Sequence, residues 1–134
     1  MDIEHFDDLL AEAGRQADAQ RLLLVFVGVE LPEDSTAEQR ADFEAGHGGA
    51  LAPRMAVDKS PDEIASFAAL TEEAADYDND WRFVMTAAMS GQGARPPSDE
   101  AVAKALERMV EDVHLGRFDA LLPFDRQGVP VRIG

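Results

Sequence analysis

The stretch over residues 21–29 constrains this chain more than any other. Arg21-Leu22-Leu23-Leu24-Val25-Phe26-Val27-Gly28-Val29 is an apolar run, rich in β-formers and too short for a helix of this character. Such a run reads as a strand covered on both faces. That is the usual condition of a strand in a parallel sheet flanked by helices.

The segments around it alternate in period. Ile3, Phe6, Leu10 and Ala13 fall on one helical face, which predicts a helix over residues 3–17. Ser35, Thr36 and Glu38 form a capping-box pattern that opens a short helix running to about Ala45, where Gly46, Gly48 and Gly49 end it. Residues 51–58 read as a second strand, placed at an edge or a strand start because Pro53 donates no hydrogen bond. Ser60, Pro61 and Glu63 predict the start of a helix that carries Ile64, Phe67, Ala68 and Thr71 to about Ala75. Residues 81–89 form a third strand. After a Gly- and Pro-containing loop over 90–97, Ser98 caps a last helix whose stripe is Val102, Leu106, Met109, Val110 and Val113, with Gly116 at its end. Leu121–Phe124 and Val129–Ile133 flank Asp125-Arg126-Gln127-Gly128, a hairpin pattern.

This alternation predicts one α/β domain over residues 1–134. Its three layers would be a mostly parallel sheet with helices on both faces and a C-terminal antiparallel hairpin, in strand order 2-1-3-4-5. The length suits a single core that folds without staples.

Composition removes several classes of function. With no cysteine, disulfides, thiolate metal sites and thiol nucleophiles are excluded. Twelve Lys and Arg against 27 Asp and Glu give a net charge of −15, and the acid excess lies upstream of residue 117. Such a field repels phosphate backbones and anionic lipid, so neither nucleic acid nor membrane is expected as a partner. No apolar stretch approaches the length of a membrane span, and Met1-Asp2-Ile3-Glu4 is acidic where a secretory signal is basic. The expected location is the cytoplasm.

In an open parallel sheet, ligands bind beyond the carboxyl ends of the strands. On that geometry Glu30, Asp58, Lys59, Ser90, Gly91, Gln92, Gly93 and Arg95 gather at one edge. Asp58, Lys59, Ser90, Gln92 and Arg95 are then the candidates to hold a nucleotide or a phosphorylated metabolite. An ordinary solvated turn at Asp58-Lys59 and an ordinary loop at 90–98 is the competing account.

Other motifs fail on their own chemistry. Gly91-Gln92-Gly93-Ala94-Arg95-Pro96 has Pro where a dinucleotide fingerprint needs its third Gly, and no P-loop sequence exists. Ser90 lacks the preceding glycine of a nucleophile elbow. Asp76-Tyr77-Asp78-Asn79-Asp80 starts like a calcium loop. It then has Trp81 at the glycine position and Ala87 where a bidentate carboxylate belongs. His5, His47 and His114 have no ligand spacing, so no metal and no cofactor is expected.

Three segments, Phe6-Asp7-Asp8-Leu9-Leu10, Val57-Asp58-Lys59-Ser60-Pro61-Asp62-Glu63 and Pro123-Phe124-Asp125-Arg126-Gln127-Gly128, carry a resemblance over nearly the whole chain. Together they resemble a family of short proteobacterial proteins whose members often bear the label "ribonucleotide reductase subunit alpha". The resemblance implies an association with nucleotide metabolism and assigns no site residues. Reductase chemistry itself needs a cysteine radical and a reducing cysteine pair, and this chain has neither. The expected function is a non-catalytic accessory module acting through a protein partner, with small-ligand binding at the sheet edge as the alternative.

Overall fold

A computed structural model describes residues 3–31, 34–44 and 50–132, and of Phe43 the backbone alone. The apolar run forms the central strand, β1 (Gln20–Glu30), in which every residue from Leu22 to Gly28 is buried. Around it lie α1 (Phe6–Gly14), α2 (Ala37–Glu44), β2 (Ala50–Lys59), α3 (Phe67–Ala75), β3 (Phe83–Ser90), α4 (Asp99–His114) and β4 (Leu122–Phe124). Gly46, His47, Gly48, Gly49 and Ile133 fall outside the described residues.

The sheet corrects the expectation of parallel strands. Its order is β2-β1-β3-β4, and every neighbouring pair runs antiparallel. The long apolar run reports burial on two faces, and burial carries no information about direction. Leu22, Leu24 and Phe26 face α1 and α3, where they pack with Phe6, Phe67, Leu70 and Trp81. Leu23, Val25 and Val27 face α4, against Val102, Met109 and Val113. Each such side chain removed from water contributes about 1.5–3 kcal/mol.

Direction was decided by the connection from β1 to β2. A parallel return needs a crossover helix packed on the sheet. Ala37–Glu44 has only Ala37, Ala41 and Phe43 as apolar residues, and every described side chain of α2 is exposed. With no helix to lay across a face, the chain doubles back as an antiparallel pair. The crossover comes next: β2 and β3 flank β1 and run parallel to each other, joined through α3.

Two further elements differ from the pattern. The helix expected from Ser60 breaks into a 3-10 turn over Pro61–Glu63, an extended link, and α3 capped by Ser66 Oγ, which accepts from the Ala69 N–H at 3.1 Å. Ile64, extended with φ −113°, drops its side chain into the core. At the C-terminus the expected second hairpin strand reduces, among the described residues, to one bridge between Phe124 and Pro130.

Three segments, residues 6–10, 57–63 and 123–128, act as fasteners. The Phe6 N–H donates to the Gly128 carbonyl at 2.8 Å, and the Phe6 ring meets Phe124 edge-on at 5.3 Å. Asp7 Oδ1 accepts from the Phe67 N–H at 2.8 Å, so α1 caps α3. Asp125 Oδ1 accepts from the Gln127 and Val129 N–H groups at 2.8 and 3.0 Å and shapes the turn. Gly128 there has φ +81°, and a Cβ would lie 2.6 Å from His5 Nε2. Arg126 lies 4.3 Å over the Trp81 ring and donates to the Trp81 carbonyl at 2.6 Å and to the Asn79 carbonyl at 3.0 Å. The segment over residues 57–63 supplies the Ser60–Glu63 capping box.

Candidate functional site

Antiparallel pairing redistributes the residues expected at one edge. Because β1 runs against its neighbours, Glu30 lies at the opposite end of the sheet from Asp58, Lys59 and Ser90, facing Ala50. Asp58 and Lys59 do share an end with Ser90, Gln92 and Arg95. Successive strand residues alternate faces, however, so Asp58 turns to the α4 side, opposite Leu23, and Lys59 to the α3 side, opposite Leu22.

The side chains of Asp58, Lys59 and Ser90 already have partners inside the fold. Asp58 Oδ2 lies 2.7 Å from Arg21 Nε, and Arg21 also reaches Glu63 at 3.0 Å. Asp58 holds the Arg21 guanidinium above its ordinary pKa. The backbone N–H and hydroxyl of Ser60, with Arg21 beyond them, hold Glu63 below the usual carboxylate range. Lys59 Nζ pairs with Glu73 at 2.9 Å, its side chain only 15% exposed. Ser90 Oγ accepts from Gln20 Nε2 at 2.8 Å, so its neighbour is an amide, not a base. Gln92 and Arg95 close a turn through paired backbone bonds of 2.8 and 3.0 Å. Gly91 is required there, since a Cβ would collide with the Arg95 carbonyl and Pro96.

Asp76–Asp80 is likewise engaged. Asp78 Oδ1 accepts from the Asp80 N–H at 2.8 Å and Oδ2 lies 2.7 Å from Arg54 Nε, contacts that hold this carboxyl below its usual range. Among the described residues no cluster of three His, Asp or Glu is arranged to hold a metal ion.

The open features of the molecule lie along β2, which pairs only with β1 among the described residues. No residue of β2 is fully buried. On its α3 side is a groove of about 390 Å³, floored by Phe26, Met55, Val57, Leu70 and Ala74 and rimmed by Lys59, Glu73 and Tyr77. Tyr77 is 80% exposed. On the α4 side a second groove of about 530 Å³ runs between Ala56 and the helix, over Val102, Leu106 and Val110, with Arg21, Asp58, Asp99 and Glu107 at its margins. Asp99 and Glu107 have no cation within ion-pair range among the described residues.

Helical spacing puts Leu106 and Val110 in a buried stripe and does not single out Tyr77. The stripe is wider than the sheet it covers, so Val102, Met109 and Val113 are buried while Leu106 and Val110 overhang β2 half-exposed. Tyr77 did carry a signal: it is the single aromatic residue within Asp76–Asp80, where only polar residues were needed.

No helix among the described residues is long and apolar enough to cross a membrane. Compared with family models, with curated proteins and with solved structures, the chain has no match in any of the three.

Proposed function

We propose that this chain is a non-catalytic cytosolic accessory module that acts by binding a protein partner along β2. The observation that carries this reading is that two apolar-floored grooves flank one ten-residue edge strand, one of them rimmed by the exposed Tyr77. Contiguous apolar surface rimmed by polar groups marks interaction sites. The internal pairing of Asp58, Lys59 and Ser90 supports this reading over an anion pocket at the same end of the sheet. The acid excess supports a protein over a phosphate-backbone partner.

Site-specific photo-crosslinking in cells tests it. A benzophenone side chain at Tyr77 should capture a protein of defined mass, and the same group at Val129, on the far side of the sheet and also exposed, should not. Equal capture at both positions, or none at Tyr77, would reject the β2 face as the binding surface.

A further inference from the structure

Resting on the partner-binding reading, we infer that the occupant of the β2 edge is an extended, net-basic segment of a partner protein that joins the sheet as an additional strand. The first support is the direction of the backbone. The Ala19 N–H donates to Gly93 and its carbonyl accepts from Gly91, and the Val27 carbonyl accepts from Arg82, so odd-numbered residues of β1 bond toward β3. In an antiparallel pair the bonding direction alternates, so the even-numbered residues bond toward β2. Ala56 and Asp58 stand opposite the odd residues Val25 and Leu23. Their N–H and C=O groups therefore point away from the sheet. The same alternation turns outward the nitrogen of Pro53, opposite Val27, which has no hydrogen to present.

The edge is blunted along only half its length. Pro53 and the bulge at Arg54, opposite Phe26/Val27, disrupt it toward Ala50, as edge strands commonly are to prevent unwanted pairing. From Met55 to Lys59 the register is regular. That half is also where a groove lies on each side of the strand. Side chains of an added strand alternate in direction. One set would enter the groove floored by Met55, Val57 and Leu70, and the other the groove under Leu106 and Val110. Pairing of this kind takes affinity from backbone bonds and selectivity from the side-chain pockets on either face.

Charge selects the occupant. Arg21, Arg54 and Lys59 are each bound to an acid, while Asp99 and Glu107 on one rim have no cation partner among the described residues. The rims thus favour Lys or Arg beside apolar side chains. A second copy of this chain, bringing another −15, is disfavoured.

The test uses a synthetic ten-residue peptide alternating Val and Lys, titrated into the intact chain and followed by backbone amide NMR. Binding should perturb the Ala56 and Asp58 amides most and protect them from hydrogen exchange. Replacing every Lys by Glu should abolish binding. Methylating alternate backbone nitrogens should weaken it about tenfold or more in one register and little in the other. Ala56→Pro, which removes an outward donor, should also lose binding, and the methylated peptides read the same bond on the unaltered protein. Equal binding by both methylated peptides, equal binding by the Glu peptide, or self-association through β2 would overturn the inference. If Tyr77 crosslinks a partner while these peptides fail, the partner-binding reading stands and strand addition falls. If neither result appears, both fall.

Discussion

The two edges of this sheet are finished in opposite ways. At one, β4 is three residues long, Pro123 and Phe124 are buried, and the chain beyond it folds back, with the Val131 N–H bonded to the Pro123 carbonyl at 3.0 Å. Arg126 then clamps the turn to Trp81 and Asn79. At the other edge, β2 is ten residues long and no part of it is fully buried. Exposed strand edges invite pairing with other chains, and proteins ordinarily cover or disrupt them. Here one edge is closed by a turn held by Asp125 and Arg126, and half of the other is left regular. Aromatic packing and charge-assisted bonds hold the fold on the β4 side, while ion pairs on the β2 side leave its outer backbone open.

Substitutions should separate the two edges, beginning with the largest effect. Phe124→Ala removes a fully buried ring packed on Phe6 and should cost about 3–5 kcal/mol in chemical denaturation, whereas Val57→Ala on half-buried β2 should cost about 1 kcal/mol. Equal costs would break the contrast. Gly128→Ala forces a side chain into left-handed backbone and against His5, and a loss of about 1–3 kcal/mol is expected by the same assay. Arg126→Ala should lower stability by about 1–2 kcal/mol and change Trp81 fluorescence, because the guanidinium leaves the indole face.

Acid should loosen β2 before β4. Asp78 and Glu63 both have folded-state pKa values below their unfolded ones. The stability they contribute is fully present above the ordinary carboxylate range and is lost as pH falls below about 4, through the lowered folded values. Asp78 ties the segment after α3 to Arg54 on β2, and Glu63 binds Arg21 beside Asp58. Hydrogen exchange in peptides spanning residues 50–60 should therefore accelerate at higher pH than exchange in peptides spanning 122–128. The reverse order would contradict the assignment of the ion pairs to β2.

What could be read from the sequence followed local chemistry. The capping residues Ser60, Ser66 and Ser98 and the apolar run of β1 are signals within a few residues of their effect, and Ser60, Ser98 and β1 were legible beforehand. Strand direction was not legible, because it depended on α2 lacking an apolar face, a property of the connection and not of any strand. The break at Ile64 was hidden because Ile64 and Phe67 keep helical spacing whether or not a helix joins them. The expected edge site rested partly on direction, and Glu30 moved to the far end with it. Asp58 and Lys59, being consecutive on a strand, face opposite layers whichever way the strand runs. The grooves were invisible because each joins residues of β2 with others from a separate helix, α3 for one and α4 for the other.

Residue-resolved amide exchange on the free protein reads whether the outer backbone of β2 is open. Met55, Val57 and Lys59, bonded to β1, should exchange slowly, and Ala56 and Asp58 between them should exchange near the rate of unstructured chain. Slow exchange at all five positions would show that the edge is already covered and would contradict the account.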